Sequence, residues 1–285
     1  MKLFRVATVF ISLFLAASVS AQTWELGISG GASYYVGDLN PTFHFRFPHP
    51  AASIFGRRNF GKHWSVRAAF TYMHVSADDD VGLFGFQQTR NLRFESDIFE
   101  VSGALEFNFF PFLPGSEEYK KWTPYIFVGL AGFYYNPYVY YNNEHTALHP
   151  LGTEGQGTPG GSSYSLFQPA VPFGLGIKWN IARRFTIGVE YGMRLIFTDY
   201  LDDVSNVYGV NGEILMYSGA VAADLSDESR GPWSVFSNDN YQRGIRTDND
   251  WYGYAAITFA YNFKDPVVCS GYKVKYKKRR WRRRH

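Results

Sequence analysis

Apolar and polar residues alternate through residues 185–197. Seven large apolar side chains hold one parity, whereas the other parity carries Glu190, Arg194 and two glycines, with Ile196 as the exception. A period of two predicts a β-strand, because successive side chains of a strand point to opposite faces. The apolar face needs an apolar medium, and the polar face needs a hydrogen-bonded interior. A strand of a soluble sandwich shows the same alternation, so one strand does not decide the fold class.

Seven other segments have the length and composition of strands. The clearest are residues 64–76 and 96–110, in which large apolar residues alternate with small or polar ones. Pro169 and Pro172 fit badly inside a closed sheet, so we expect them near a rim or at a bulge. Residues 218–227 are predicted to form a short helix within the longest connection. The eight predicted strands cover residues 24–35, 51–60, 64–76, 96–110, 123–135, 167–180, 185–197 and 251–263.

The connections between these strands alternate in length. Those after the second, fourth and sixth strands are short, whereas those after the first, third, fifth and seventh are long. After the N-terminus no apolar run reaches about 18 residues, so no transmembrane helix is predicted. Alternating turn lengths are typical of bacterial outer-membrane barrels, and an even strand number brings both termini to the periplasmic side. The predicted fold is all-β, an eight-stranded antiparallel transmembrane outer-membrane β-barrel with long extracellular loops and short periplasmic turns.

Composition and the N-terminus agree with that fold. Aromatic residues make up 19% of the chain, and there are 28 Gly; membrane barrels use aromatic girdles and place glycine where backbones crowd. Lys2 and Arg5, an apolar core at 6–17 and small residues at 19–21 predict a secretory signal. Cys269 is the one cysteine, so no intrachain disulfide is possible. The expected organisation is a signal peptide at 1–21, a barrel at 22–263 and a basic periplasmic tail at 264–285.

The interior of an eight-stranded barrel is just wide enough for side chains to fill it. Three basic and three acidic residues fall on the inward parity of the predicted strands, which is a balanced set. We expect buried ion pairs that fill the lumen, so a wide aqueous pore is not predicted. A proton or ion pathway through Glu190 and Arg194 is the alternative. The six predicted inward residues are Arg67, Glu100, Glu106, Lys178, Glu190 and Arg194.

Two acidic clusters lie on the long-loop side, at residues 78–80 and at the end of the seventh strand. Paired carboxylates can bind a metal or act as acid and base. Neither cluster has a His or Ser at a defined offset, and no calcium loop of the Asp-x-Asp-x-Asp-Gly type is present. We expect solvated or capping acids, with a loop Ca²⁺ site as the alternative, and predict no catalytic residue, cofactor or metal site. The second cluster forms an extracellular-rim motif made of Thr198, Asp199, Tyr200, Asp202 and Asp203.

A strongly basic tail follows an acidic body. Residues 264–285 hold ten Lys/Arg and one Asp, and the predicted signal adds two positive charges, so the net charge of +3 leaves −8 on residues 22–263. A signal peptide and a barrel exclude cytoplasmic nucleic acid. In the periplasm such a tail meets acidic proteins, anionic lipid heads or peptidoglycan carboxylates, and a solvated tail without a partner is the alternative. The candidate partner-binding residues are Lys277, Lys278, Arg279, Arg280, Arg282, Arg283 and Arg284.

Five short motifs carry a resemblance to a known family. They are GDLNP at 37–41, RNLRF at 90–94, LEFNF at 105–109, LGTEGQG at 151–157 and TDYLDDVS at 198–205. In these motifs the chain resembles the PorG family, the outer-membrane component of the type IX secretion system of Bacteroidetes, over residues 24–263. The resemblance implies an integral barrel without enzymatic activity, associated with the periplasmic ring built by the lipoprotein PorK and its partner PorN.

Three functions are compatible with these sequence observations. The first is a non-catalytic component of the type IX secretion system that anchors or scaffolds the ring, with outer-membrane lipids and PorK- and PorN-like proteins as partners. The second is an independent small outer-membrane barrel that acts as a narrow pore or as a ligand-binding or adhesion protein. The third is an outer-membrane hydrolase that uses the rim acids. We expect the first.

Overall fold

A computed structural model describes residues 23–41, 45–116, 119–230 and 238–263 of the chain. Ten strands and three short helices lie in these residues. The strands are β1 (Thr23–Val36), β2 (His49–Asn59), β3 (Trp64–Asp78), β4 (Arg93–Asn108), β5 (Trp122–Tyr134), β6 (Pro137–Tyr141), β7 (Glu144–Ala147), β8 (Phe167–Ala182), β9 (Phe185–Ile196) and β10 (Trp251–Asn262). The helices are α1 (Gly85–Arg90), α2 (Asn211–Ser218) and α3 (Ala220–Ser226). The predicted signal, the basic tail and Cys269 lie outside the described residues.

Eight of the described strands close into an antiparallel barrel. Neighbours follow the order β3, β2, β1, β10, β9, β8, β5, β4, and β4 pairs back with β3. The β1–β10 pair runs from Glu25 opposite Asn262 to Val36 opposite Trp251, so the first strand of the barrel pairs with its last. The predicted eight-stranded antiparallel barrel is confirmed, and the predicted strand limits hold to within three residues.

Apolar side chains cover the outside of the barrel. Leu130 is 74% exposed and Val101 is 64% exposed, while Glu100, the residue before Val101, is fully buried. Aromatic residues ring the short-turn end, where one girdle of a membrane barrel lies; they are Trp24, Trp64, Phe109, Trp122, Trp179, Phe185 and Phe263. A wide exposed apolar surface is unfavourable in water, and a closed sheet leaves no unpaired strand edge for lipid to penalise. The wall is therefore built to span a bilayer.

Two glycines of β8 make room for aromatic rings inside the barrel. A Cβ at Gly174 would come within 2.2 Å of the backbone oxygen of Tyr191 and 2.7 Å of the Phe127 ring. A Cβ at Gly176 would come within 2.7 Å of the Tyr125 ring. The two rings of β5 therefore pack on bare backbone of the neighbouring strand, which explains why glycine occupies two successive inward positions of β8.

The prolines of β8 are accommodated in two ways. Pro169 pairs with Gly132 close to the loop end of the strand, near the rim as expected. Pro172 lies further inside, where the β5–β8 ladder stops at Val128–Phe173 and resumes at Ala131–Ala170. Proline has no amide hydrogen to donate, so the sheet leaves the rungs beside it open instead of forming a bulge.

The long connections contain more regular structure than alternation predicts. Strands β6 and β7 form a hairpin within residues 136–165, and it joins the barrel where Tyr138 pairs with Glu95 of β4. The short helix expected at 218–227 is confirmed as α3 (Ala220–Ser226), while α2 (Asn211–Ser218) was not predicted. Gly219 separates the two helices with a φ of 93°, which favours glycine. In the part of the chain that the structure describes, no helix is long and apolar enough to cross a membrane.

Candidate functional site

A carboxylate hub fills the half of the lumen nearest the short turns. Glu106 on β4 accepts a hydrogen bond from Nζ of Lys178 at 2.7 Å. The same carboxylate pairs with Nε of Arg57 at 2.9 Å and with Nε of Arg67 at 3.3 Å. Three cations from β2, β3 and β8 thus converge on one carboxylate, and all four residues are more than nine-tenths buried.

Two neighbouring acids balance the excess positive charge of this hub. Glu190 is bound by two guanidinium nitrogens of Arg67 and accepts a hydrogen bond from the Tyr125 hydroxyl at 2.5 Å. Glu25 pairs with Nη1 of Arg57 at 3.3 Å. Because every carboxylate here has a cationic or hydroxyl partner, the desolvation cost of burying the charges is offset by pairing.

A separate pair lies further toward the loops. Arg194 donates from Nε and Nη2 to the two oxygens of Glu100 at 3.0 and 3.2 Å, and the Tyr252 hydroxyl donates to Glu100 at 2.9 Å. Between this pair and the loop end of the barrel, the lumen is apolar and contains buried Met73, Ile98 and Phe133. The filling is therefore ionic at one end and hydrophobic at the other.

The structure places all six residues predicted to point inward in this lumen and pairs each of them. It also brings in Glu25 and Arg57, which sequence reasoning missed. Glu25 lies between exposed Trp24 and Leu26, so its position in the alternation predicts that it points inward. The glycines that follow obscure the alternation of β1. Four cations and four carboxylates then occupy the barrel interior as one compensated set.

The loop end of the barrel is covered by a structured cap, formed by the described residues of 37–48, 79–92, 135–166 and 197–250. Four of the five resemblance motifs meet in it. Arg243 donates to Glu154 of LGTEGQG at 3.1 Å and to the backbone oxygen of Asp203 of TDYLDDVS at 2.6 Å. Arg90 of RNLRF donates to the backbone oxygen of Arg243 at 2.7 Å and to that of Asp38 of GDLNP at 3.0 Å. Motifs far apart in the chain therefore build one loop cap.

The first acidic cluster supports this cap. Nε and Nη2 of Arg90 bind the two carboxylate oxygens of Asp79 at 2.6 and 3.0 Å, and Asp79 is fully buried. Burial raises the pKa of Asp79, while the bond from Arg90 opposes that shift. Asp80 is exposed and pairs with Arg230. Of the two expected roles, solvation is wrong for Asp79, which is buried and accepts the backbone N–H of Leu92.

Asp202 and Asp250 share one tyrosine hydroxyl. The Tyr35 hydroxyl lies 2.5 Å from Oδ2 of Asp202 and 2.9 Å from Oδ1 of Asp250. The remaining oxygens accept backbone N–H groups, that of Val204 for Asp202 and that of Leu201 for Asp250, each at 2.9 Å. Burial raises the pKa of both carboxyls well above the ordinary value. Since one hydroxyl has one proton to donate, the second short contact requires a proton on one of the carboxyls.

The other residues of the rim motif hold the longest loop. Asp203 accepts hydrogen bonds from Oγ1 of Thr153 at 2.5 Å and from the Tyr164 hydroxyl at 2.6 Å. Burial raises the pKa of Asp203 to about 6, against the opposing charge of Arg243. Burial likewise raises the pKa of Asp199 to about 8. Of the two expected roles, solvation is wrong for Asp199, Asp202 and Asp203, which are buried, whereas Asp202 accepts the backbone N–H of Val204 as a capping acid does.

Thr198 and Tyr200 complete the motif. The Thr198 side chain accepts the backbone N–H of Tyr200 at 3.2 Å, and its carbonyl accepts that of Asp250 at 3.3 Å. The Tyr200 ring stacks on Tyr164 with centroids 4.6 Å apart. These contacts fasten the start of the 197–250 connection to its end and to the 135–166 loop.

An open pocket of about 680 Å³ lies on the loop cap, and we refer to it as the cap pocket. Its walls come from residues 38–41, from α1 with the preceding Phe84, and from residues 238–245. The aromatic residues Phe84, Phe86 and Tyr241 line it, with Arg90 and Arg243 at its floor. The volume falls within the range of small-ligand sites in proteins.

The short-turn end of the barrel is basic. Lys62, Lys120, Lys121, Arg183 and Arg184 are exposed in the three short connections. The described residues of these connections (60–63, 109–116, 119–121 and 183–184) include no Asp or Glu, while Glu117 and Glu118 lie outside the described residues. The predicted tail follows β10 from this same end, and its seven candidate residues also lie outside the described part of the chain.

The acids that a hydrolase would use are engaged as anchors of loops. Across the described ranges, no group of three or more His, Cys, Asp and Glu side chains is placed to hold a metal ion. Asp202 and Asp203, the acids nearest to a hydrolase-like pair, are engaged by hydroxyls and backbone amides that anchor loops.

Comparisons with known proteins identify a family. A family model described as a domain of unknown function (DUF6089) matches residues 4–271. No curated protein matches the chain.

Several solved outer-membrane proteins are similar to the chain at very low identity. Ail, the attachment invasion locus protein of Yersinia pestis, is 9% identical, with 86% of this chain and 100% of that chain covered and a TM-score of 0.42. A major outer membrane protein from Thermus thermophilus is 10% identical, with 84% and 99% covered and a TM-score of 0.40. The outer membrane protein OprG from Pseudomonas aeruginosa is 12% identical, with 86% and 98% covered and a TM-score of 0.36. Similarity at this level assigns no function.

Proposed function

The chain belongs to the family described as a domain of unknown function (DUF6089), and we propose that this member is a non-catalytic outer-membrane barrel that anchors or scaffolds the periplasmic ring of a type IX secretion system. The observation that carries the proposal is the filled lumen, in which four cations and four carboxylates are paired. A barrel with such a lumen acts through its surfaces. Anchoring is a surface function, and conduction is not.

The membrane side of the proposal rests on the barrel wall. Its apolar outer face and the aromatic ring at the short-turn end suit a bilayer. The predicted signal leads such a chain across the inner membrane, which favours the outer membrane as its destination. In the orientation typical of outer-membrane barrels, the short turns and both termini would be periplasmic, and the loop cap would face the outside of the cell.

The partner side rests on charge. The exposed basic residues of the short turns give the turn end a positively charged surface, and the basic sequence of the tail would add to its charge. Such a surface favours an acidic partner and raises the rate of encounter with it. The five motifs that resemble the PorG family suggest that this partner is the ring of PorK- and PorN-like proteins.

Recovery of the ring from crosslinked membranes tests the proposal. An affinity tag inserted at Gly160, an open position in the loop cap, leaves the turn end untouched. We expect PorK- and PorN-like proteins to co-purify with the tagged chain, and deletion of the chain to reduce secretion. If the ring proteins never co-purify and secretion is intact after deletion, the proposal fails and the independent barrel takes its place.

Charge reversal locates the contact. Lys62→Glu with Lys121→Glu changes two exposed residues of the turn end, and removal of residues 273–285 tests the tail separately. Arg246→Glu, in the exposed loop cap, is the matched control. We expect the turn variant to lose most of the co-purified ring and the control to retain it. Equal recovery in both would move the contact away from the turn end.

A further inference from the structure

The cap pocket has the chemistry of a sugar site. We propose that it binds a neutral saccharide. The pocket lies at the opposite end of the barrel from the basic turns, so this inference stands apart from the secretion proposal. It rests on the exposed rings of the pocket, on the charge balance of its floor and on its neutral polar groups.

Aromatic rings around the pocket are exposed although they lie outside the lipid-facing wall. Phe86 is 60% exposed, Tyr241 is 66% exposed and Phe84 is 41% exposed. Exposed aromatic side chains grouped at a concave surface mark a binding site more often than chance. The faces of such rings offer an apolar, weakly negative surface. The C–H face of a pyranose ring fits that surface.

The floor of the pocket is charged but compensated. The donors of Arg90 are directed to Asp79 and to two backbone oxygens. Arg243 is held by Glu154 and by the backbone oxygen of Asp203. Because Asp79 neutralises Arg90 and Glu154 neutralises Arg243, the floor carries no excess positive charge that would attract a sulfate or phosphate. The pocket therefore favours a neutral ligand.

Neutral polar groups line the remaining wall. Gln242 presents an exposed side-chain amide, and the hydroxyls of Thr89 and Ser229 also line the pocket. Amide and hydroxyl groups both donate and accept, which matches the hydroxyls of a sugar. An extended peptide would instead seek a free strand edge, and the described lining consists of helix α1 and loops.

Binding is tested on the purified full-length barrel in a detergent without a sugar head group. The probes are immobilised short neutral hexose oligosaccharides, their sulfated and phosphorylated counterparts, and short aromatic peptides. We expect retention on the neutral oligosaccharides. Retention only on the charged glycans or only on the peptides would overturn the inference, as would retention on none.

Paired variants tie retention to the pocket. Tyr241→Ala and Gln242→Ala remove one ring and one amide from exposed positions. Tyr217→Ala is the control, because Tyr217 is 55% exposed on α2 and does not line the pocket. We expect Tyr241→Ala to weaken binding by about tenfold and Tyr217→Ala to leave it unchanged, with all variants showing the same heat-dependent gel shift. Equal effects of Tyr241→Ala and Tyr217→Ala would overturn the inference.

Discussion

The adjacent aspartates Asp202 and Asp203 of the rim motif differ in how many hydroxyl protons are available to them. Asp203 accepts from two hydroxyls, those of Thr153 and Tyr164, each of which has its own proton. Asp202 shares the single Tyr35 proton with Asp250. The charged form therefore suits Asp203, whereas the pair formed by Asp202 and Asp250 needs one extra proton.

Amide substitutions should separate these two environments. In Asp202→Asn the new NH₂ group donates to the Tyr35 oxygen while the hydroxyl donates to Asp250, so we expect stability to be kept. In Asp203→Asn one hydroxyl donor faces an NH₂ group, and we expect a loss of about 1–3 kcal/mol. Urea-dependent proteolysis of the 197–250 connection measures both. Equal losses would contradict the proton count.

The loop cap should weaken as pH rises. An aspartate has an ordinary pKa of about 4, and burial raises the pKa of Asp199 to about 8 in the folded cap. The stability that protonated Asp199 gives to the folded cap is fully present below about pH 4, its ordinary pKa. This stability is lost as the pH rises through about 8, its pKa in the folded cap. The pKa of Asp202 and that of Asp250 are shifted in the same direction.

Limited proteolysis at pH 5 and pH 9 measures this dependence. We expect faster cleavage within 197–250 at the higher pH, and a smaller difference in Asp202→Asn. Glu213→Gln, at an exposed position of α2, should behave as the parent protein does. Slower cleavage at pH 9 would show that the sign is wrong.

At the scale of elements, the barrel is held by contacts that cross strands. The Glu106 hub joins β4 to β2, β3 and β8, and the rings of β5 pack on glycines of β8. The strands also continue beyond the wall into the loop cap, where Tyr35 at the end of β1 meets Asp250 just before β10. Substitutions at these crossings should therefore affect the whole barrel.

Removal of the hub carboxylate should be costly. Glu106→Ala leaves Arg57, Arg67 and Lys178 crowded without their shared partner. We expect a loss of about 3–5 kcal/mol in denaturant-induced unfolding, the cost of breaking a buried ion pair. Glu144→Ala, in the exposed β6–β7 hairpin, is the control and should change stability little. A similar stability for both variants would mean that the hub contributes nothing.

Filling the glycine that faces Phe127 should impair folding. A side chain at Gly174 collides with backbone and with that ring, so we expect Gly174→Val to cost about 1–3 kcal/mol or more. Gly103 is matched to it, because a Cβ there meets nothing within 4 Å. The fraction of heat-modifiable barrel on a gel measures both variants. A normal yield of Gly174→Val would contradict the packing described for β5 and β8.

At the scale of the molecule, charge differs between the two ends. Residues 197–250 hold ten Asp/Glu and three Arg, whereas the described short turns hold only basic charges. Between these ends the lumen is filled by paired charges and then by apolar side chains. Such a molecule presents two different surfaces separated by a closed wall.

The filled lumen predicts that the barrel does not conduct. Eight strands leave room for side chains and little else, and this lumen contains eight charged residues in pairs. We expect no steady current when the purified barrel is inserted into a planar bilayer. An ohmic conductance that scales with the number of inserted barrels would contradict this prediction and support the narrow-pore alternative.

The strand positions and the inward charges were determined by the sequence alone, because a period of two is a local property of extended backbone. Arg67, Glu100, Glu106, Lys178, Glu190 and Arg194 could be placed in the interior on that basis. Their partners could not, since pairing joins strands that are distant in the chain: Arg67 and Glu190 are separated by 123 residues. The export signal, the role of the basic tail and the secretion ring stay predictions.

The contacts that build the loop cap were determined only by the tertiary structure. Motifs that looked like separate loop segments meet around Arg243, and acids expected to be solvated or to cap loops are buried there. Tyr35 and Asp250 are 215 positions apart, so their shared proton has no local signal in the sequence. Loop contacts depend on which strands the barrel brings together. The physical reason is that periodicity records which face a side chain takes, while closure of the barrel determines what it meets.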